Sequence, residues 1–174
     1  MLTLAEKQTV VAEVAAVAAR AHSAVAAEYA GLTVAQMTEL RKAARQSGVY
    51  LRVVKNTLAR RALENTPFAC MSDGLTGPLV LAFSEQEPGS AARVVSEFAR
   101  NNEKLKVRLI SIGGKLLAPA AIEQVARLPT RLEALGMLAG VLKAPIARFV
   151  RTLNEPHAKL VRAMAAVRDQ KQAA

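Results

Sequence analysis

The sequence is poor in residues that cross-link chains or provide aromatic surfaces. Its 174 residues include one cysteine, no tryptophan and only 3% aromatic residues. A single cysteine, Cys70, cannot form an internal disulfide, which is typical of proteins in a reducing cytoplasm. Because Cys70 lies in an apolar setting between Ala69 and Met71, we predict that it is buried as a small apolar side chain.

Sequence features of membrane proteins, enzymes and metal proteins are also missing. No run of about eighteen uncharged apolar residues occurs, so a transmembrane span is not expected. Glu6 and Lys7 interrupt the apolar N-terminal region, which argues against a signal peptide. None of the phosphate-loop, dinucleotide, serine-nucleophile or zinc-protease motifs is present, and His22 and His157 have no cysteine or acid cluster that would indicate a metal site. We therefore predict a cytoplasmic protein that is not an enzyme, has no cofactor or metal, and does not associate with a membrane.

Positive charge is abundant and is concentrated in two places. The formal net charge is +10. Residues 40–63 carry seven basic residues and no acidic one, and residues 143–174 carry seven basic residues and two acidic ones. Each concentration indicates a polyanionic or acidic partner.

Apolar periodicity and turn residues predict the element order α-β-α-β-α-(α)-β-α-β-β-α before the C-terminal region. Thr3 and Thr33 each begin a capping box, which predicts a helix start, and we expect Asn56 or Thr57 to cap a short third helix. The continuous apolar run at residues 79–83 predicts a strand that is buried on both faces. The predicted fold class is α/β (α+β), with a mixed sheet covered by helices, followed by a hinge and an extended C-terminal helix.

The chain divides into three segments. Residues 1–128 are predicted to form the α/β domain, residues 129–145 a connecting helix and hinge, and residues 146–174 the C-terminal helix. Glycine and proline within the middle segment favour the hinge.

The basic segment at residues 40–63 is the sharpest candidate for a binding site. It runs from a predicted helix through a strand into the start of the next helix, where free backbone N–H groups and the positive end of the helix dipole favour phosphate. The candidate residues are Arg41, Arg45, Arg52, Lys55, Asn56, Thr57, Arg60 and Arg61. Alternatively, the run is a solvated positive face without a ligand.

Few aromatic residues accompany this segment. Only Tyr29 and Tyr50 lie near it in the sequence. If RNA is the ligand, we expect recognition of the backbone and shape of a folded RNA rather than of single-stranded bases. The affinity should then fall steeply as the salt concentration rises.

The C-terminal thirty residues contain an eleven-residue repeat. Residues 145–153 (PIARFVRTL) match residues 156–164 (PHAKLVRAM) in residue type at seven of nine positions. Eleven residues make about three turns of an α-helix, so the two apolar patches lie on nearly the same face, roughly 16 Å apart. The repeat suggests that one kind of partner binds twice. The apolar candidates are Ile146, Phe149, Val150, Leu153, Leu160, Val161, Met164 and Val167. Alternatively, these residues are the core-facing stripe of an ordinary amphipathic helix.

Several motifs resemble those of the bacterial stalk-base protein of the large ribosomal subunit, the ribosomal protein L10 family. They include GLTV at residues 31–34, GVYLRVVKNTLARRA at residues 48–62 and LVRAMAAVRD at residues 160–169. The resemblance covers essentially the whole chain in order, and RVVKNTL at residues 52–58 is its most specific part. The family usually has a basic residue at the position of Ala30, so no basic RNA contact is inferred there.

The resemblance implies an α/β domain that binds large-subunit (23S) ribosomal RNA beside the eleventh large-subunit ribosomal protein. It also implies a mobile C-terminal helix that carries dimers of the acidic stalk protein, which recruit translational GTPases. Two repeat units indicate two dimers per chain. In several bacteria the family member also represses translation of its own operon. On this resemblance, the basic candidates contact RNA and the apolar tail candidates contact the stalk protein.

Overall fold

A computed structural model of the chain describes residues 3–102 and 104–173. The α-helices are α1 (Leu4–Arg20), α2 (Val34–Gln46), α3 (Asn56–Leu63), α4 (Ser90–Asn101), α5 (Ile122–Ala126) and α6 (Arg131–Ala173). The strands are β1 (Ser23–Glu28), β2 (Val49–Val53), β3 (Leu79–Ser84), β4 (Lys106–Ile112) and β5 (Lys115–Leu117). Two 3₁₀ segments, Pro67–Gly74 and Pro119–Ala121, complete the regular structure.

Two compact units make up the chain. The first, Met1–Thr130, is called the body, and the second, Arg131–Ala174, contains the tail helix α6. All five strands lie in the body.

The body contains one sheet with the strand order β2-β3-β1-β4-β5, in which each pair of neighbours is antiparallel. Strands β1 and β2, which α2 connects, are parallel to each other but are separated by β3. Strands β3 and β4, which α4 connects, are likewise separated by β1. Two split βαβ units therefore interleave.

The predicted α/β class, with a helix-covered sheet and an extended C-terminal helix, is confirmed. From the alternation of helices and strands we expected a sheet with both parallel and antiparallel pairing. This expectation is wrong, because all neighbouring strands of the sheet are antiparallel. Each βαβ crossover leaves a one-strand gap, and a strand from the other unit fills it in the antiparallel direction.

Helices cover both faces of the sheet and form two apolar clusters. One cluster joins the sheet to α1, α3 and the first 3₁₀ segment, and the other joins it to α2, α4 and α5. Strand β3 serves both clusters, because Leu81 and Phe83 point to the first while Val80 and Ala82 point to the second. The prediction that this strand is buried on both faces is confirmed.

Local hydrogen bonds account for two of the helix starts. At Thr3 and at Thr33, the side-chain oxygen accepts a bond from the backbone N–H three residues later, and the backbone N–H of the threonine donates to the side chain of Glu6 or Gln36. Both predicted capping boxes are therefore confirmed. The third helix starts differently, since its N-cap is Lys55 and no side chain caps it. The prediction that Asn56 or Thr57 caps α3 is therefore wrong.

The burial predicted for Cys70 is also wrong. Cys70 is exposed, and its Sγ lies 3.4 Å from the Oγ of Ser111. The reason is the 3₁₀ geometry of Pro67–Gly74, in which residues three apart lie above one another. Phe68 and Met71 therefore point into the core together, and Cys70 is left facing outward.

The tail helix α6 is continuous over 43 residues, with Pro145 and Pro156 inside it. A helix of this size is about 65 Å long. The sequence predicts a connecting helix and hinge at residues 129–145. In the structure, α6 begins at Arg131 and continues directly into the repeat. None of the helices in the described ranges combines the length and the apolar character that crossing a membrane requires.

Candidate binding surfaces

A cleft of about 370 Å³ lies where β1 and β2 end and β3 begins. Because β1 and β2 run in the same direction and β3 runs oppositely, these three strand ends meet at one edge of the sheet. The lining residues are Tyr29, Val53, Val54, Lys55, Asn56, Thr57, Gly77, Pro78 and Leu79. The topology therefore places three of the predicted basic-segment residues in one concave site.

Hydrogen bonds across the cleft fix its two sides. The amide Nδ2 of Asn56 donates to the carbonyl oxygen of Gly77 at 2.9 Å, which ties the start of α3 to the segment before β3. The backbone N–H of Tyr29 donates to the carbonyl oxygen of Pro78 at 3.2 Å. Asn56 therefore ties the two sides of the cleft together. Its side chain does not cap α3, because Asn56 is the first residue of the helix and Lys55 occupies the N-cap position.

The start of α3 makes the cleft electropositive. The carbonyl oxygen of Lys55 accepts bonds from Leu58 and Ala59 at 2.8 and 3.0 Å, which leaves the first N–H groups of the helix without intrahelical partners. No side chain caps this end and no acid lies in the first turn, while the side chains of Lys55 and Thr57 are exposed. The positive end of the helix and the Lys55 ammonium therefore act at the same place.

Arg52 lies on the α1 side of the sheet and is held by two partners. Its Nη1 donates to the hydroxyl of Tyr50 at 3.0 Å and to the carboxylate of Glu13 on α1. The hydrogen bond to Tyr50 and, to a smaller extent, the hydrogen bond to Glu13 raise the pKa of Arg52 above its usual value. The guanidinium is charged throughout the physiological range, but Glu13 neutralises part of its field.

Arg60 makes hydrogen bonds to backbone carbonyl groups of the body. Its Nε and Nη2 donate to the carbonyl oxygens of Ser72 and Leu75 at 3.1 and 2.9 Å. These bonds attach α3 to the end of the first 3₁₀ segment. Arg61 follows on the exposed surface of the same helix.

The structure separates Arg41 and Arg45 from the other basic candidates. Both are exposed on α2, which packs on the sheet face opposite to α3. Arg45 lines a different cleft of about 450 Å³, together with Arg93, Glu87 and other polar residues. A basic run that is contiguous in sequence is thus divided by the sheet, because its two helices cover opposite faces.

Tyr29, Gly77 and Pro78 complete the cleft but were not among the candidate site residues. They come from the end of β1 and the start of β3, which are distant in sequence from Lys55. Their proximity follows from the strand order, in which β3 pairs between β1 and β2, and local sequence does not indicate that order.

The tail helix presents the second surface. All eight apolar candidates are exposed, from 51% for Val167 to 69% for Ile146. At about 100° per residue they share one face of roughly 120°. The same geometry puts Arg148, Arg151 and Arg162 on the other side of the helix together with Glu155. The side opposite to the apolar stripe is therefore charged, with more basic than acidic residues.

Nothing in the described ranges forms a cluster of histidine, cysteine or acidic side chains that would hold a metal ion. The arrangement is that of a binding protein with two surfaces, a basic cleft in the body and an apolar stripe on the tail helix.

Comparison with known proteins identifies the class. The family model described as Ribosomal protein L10 matches residues 2–100, and the model described as Ribosomal protein uL10 C-terminal region matches residues 128–174. The chain is a non-enzymatic protein of the large ribosomal subunit. More narrowly, it belongs to the ribosomal protein L10 family, and the resemblance seen in the sequence is confirmed.

Individual relatives match over nearly their whole length. The large ribosomal subunit protein uL10 of Methylococcus capsulatus is 68% identical over 173 residues, which are 99% of this chain and 99% of the relative. The protein of the same name from Thioalkalivibrio sulfidiphilus is 63% identical over 172 residues, covering 99% and 98% of the two chains. That from Nitrosococcus oceani is 62% identical over 172 residues, covering 99% and 92%.

Proposed function

We propose that the body binds large-subunit ribosomal RNA at the stalk base and that the tail helix anchors two dimers of the acidic stalk protein. The chain then connects the RNA of the cytoplasmic ribosome to the proteins that recruit translational GTPases, beside the eleventh large-subunit ribosomal protein. The same RNA-binding surface serves repression of its own messenger in those bacteria where the family member acts as a repressor.

The cleft at the start of α3 is the observation that supports RNA binding. Lys55, Thr57 and the uncapped helix start supply a cation, a hydroxyl and free N–H groups at one place, and these are the groups that bind phosphate. None of the nine lining residues is acidic. The exposed charge of Arg61 on the same helix extends the positive field beyond the cleft.

The exposure of the apolar tail stripe supports partner docking. A core-facing stripe would be buried, whereas these eight side chains are more than half exposed. The basic side of the same helix suits a partner of negative charge. Because the stripe repeats after eleven residues, each repeat unit is a docking site for one dimer.

The salt dependence of RNA binding tests the role of the cleft. We expect Lys55→Ala to lower the slope of log K against log salt by about 0.9 for one lost phosphate contact on a duplex. Lys115→Ala is the matched control, because Lys115 is an exposed lysine on β5 and its loss changes the net charge equally. Equal slopes for both variants and the unaltered protein would remove Lys55 from the RNA interface.

Deletion of residues 145–174 tests whether the two surfaces are independent. The shortened protein should bind ribosomal RNA nearly as well as the full chain and should not bind the acidic stalk protein. Both affinities are measured on the same preparation. Loss of RNA binding together with stalk-protein binding would contradict the division of function between the body and the tail helix.

A further inference from the structure

The walls of the basic cleft are apolar and aromatic, which phosphate binding alone does not require. Tyr29, Val53 and Pro78 line the cleft together with Lys55 and Thr57 from the start of α3. The volume of about 370 Å³ is at the small end of the range for small-molecule pockets, roughly 300–1,000 Å³. A site of this size accommodates one planar ring system and its attached group rather than a folded chain.

Tyr29 is positioned to act as the flat surface of this site. Its backbone N–H is bonded to Pro78, and its carbonyl oxygen accepts a bond from the N–H of Leu32 at 3.2 Å. The side chain is half-buried and packs against the α2–α4 cluster of the core. A ring that is held in this way loses little conformational freedom when a ligand stacks on it.

The opposite side of the cleft allows a nucleic-acid backbone to come close. Gly77 has φ of 84°, a conformation that favours glycine, and a Cβ at this position would have no atom within 4 Å. The bond from Asn56 keeps Gly77 next to the start of α3. An open glycine beside a cation and free N–H groups is a favourable place for a sugar-phosphate chain.

We propose that the cleft holds a single unpaired nucleobase of the ribosomal RNA, stacked on Tyr29, with its phosphate at Lys55 and the start of α3. The inference rests on the proposed RNA-binding function and adds one base contact to the recognition of backbone and shape expected from the scarcity of aromatic residues. Every base offers a flat face for stacking on an aromatic ring. An unpaired base also costs the least to extrude.

Substitution of Tyr29 separates stacking from charge. Tyr29→Leu should weaken binding to a stalk-base fragment of large-subunit ribosomal RNA by roughly 5- to 150-fold, the range for loss of one base–aromatic stack. The slope of log K against log salt should not change, because no cation is lost. Tyr29→Phe keeps the ring and should bind close to the unaltered protein.

The composition of the chain provides a second readout that does not depend on removing Tyr29. The sequence has two tyrosines and no tryptophan, so the emission of Tyr50→Phe protein comes from Tyr29 alone. Binding of the RNA fragment should quench this emission. When 2-aminopurine replaces each unpaired purine of the fragment in turn, one position should show a change of fluorescence on binding.

The outcomes distinguish the base contact from RNA binding itself. Salt-dependent RNA binding with unchanged affinity in Tyr29→Leu and unchanged Tyr29 emission would overturn the base contact and leave the proposed function intact. Absence of salt-dependent RNA binding in the unaltered protein would overturn the proposed function instead. If Tyr29→Leu does not fold, the emission of Tyr50→Phe protein provides the test. Quenching by the RNA fragment would support the base contact, and unchanged emission would overturn it.

Discussion

Truncation of one apolar side chain on the tail helix should remove one stalk-protein dimer. Phe149 is 64% exposed, so roughly 130 Å² of its surface is open to a partner, and covering that surface contributes about 3 kcal/mol at about 25 cal/mol per Å². Loss of this contribution in Phe149→Ala corresponds to roughly 100-fold weaker binding at one repeat unit. Leu160, the equivalent residue of the other unit, is 59% exposed, and its truncation should weaken the other site to a similar degree.

The body should be unaffected by either change. Both side chains are exposed, so their truncation leaves no cavity and should not lower the free energy of unfolding of the body. Val141→Ala is the matched control, because Val141 is 68% exposed on the same helix but lies off the stripe.

Titration with the acidic stalk protein, followed by native mass spectrometry, gives the number of bound dimers. At a free stalk-protein concentration of about ten times the dissociation constant of an intact site, which still leaves a site weakened roughly 100-fold mostly empty, we expect two dimers on the unaltered protein and on Val141→Ala. We expect one dimer on Phe149→Ala and one on Leu160→Ala. Two dimers on both stripe variants would refute the assignment of these residues as anchors of the two units.

Three further predictions concern the body. Glu13→Gln removes the carboxylate that pairs with Arg52, so RNA binding at low salt should become stronger. An unchanged affinity would leave Arg52 with a structural role only. Phe68→Ala, at a position with 0% exposure, should lower the free energy of unfolding in urea by roughly 3–5 kcal/mol, whereas a loss below about 1 kcal/mol would contradict its place in the core. Gly74→Ala brings a Cβ to 2.6 Å from Cδ2 of Leu109 and should destabilise the body by about 1–3 kcal/mol, and this cost should shrink when Leu109 is also shortened.

Features that depend on neighbouring residues could be predicted from the sequence. The capping boxes at Thr3 and Thr33 need only a hydroxyl and an acid or amide three residues apart, and both are present in the structure. The strand at residues 79–83 was identifiable because only a doubly covered strand has so continuous an apolar run. Helical periodicity likewise predicts the apolar stripe of the tail, but the exposure of that stripe is known only from the structure.

Features that depend on the arrangement of the whole sheet could not be predicted. The direction of strand pairing is set by which strand fills the gap in each βαβ crossover, and local sequence does not encode this choice. For the same reason, Tyr29 meets Lys55 in the cleft although nothing in their spacing indicates it, and Arg41 is separated from Lys55 despite their proximity in sequence. The prediction of a cap at Asn56 or Thr57 is wrong because α3 already begins at Asn56, so Lys55 takes the N-cap position.

The composition of the complex purified from cells that make this protein tests the proposed anchoring role most directly. A native mass spectrum should show one chain with four copies of a small acidic protein, because each of the two repeat units holds one dimer. Six copies would mean a third site, which we would place on residues 130–144. A chain that carries no acidic protein would contradict the anchoring role of the tail helix.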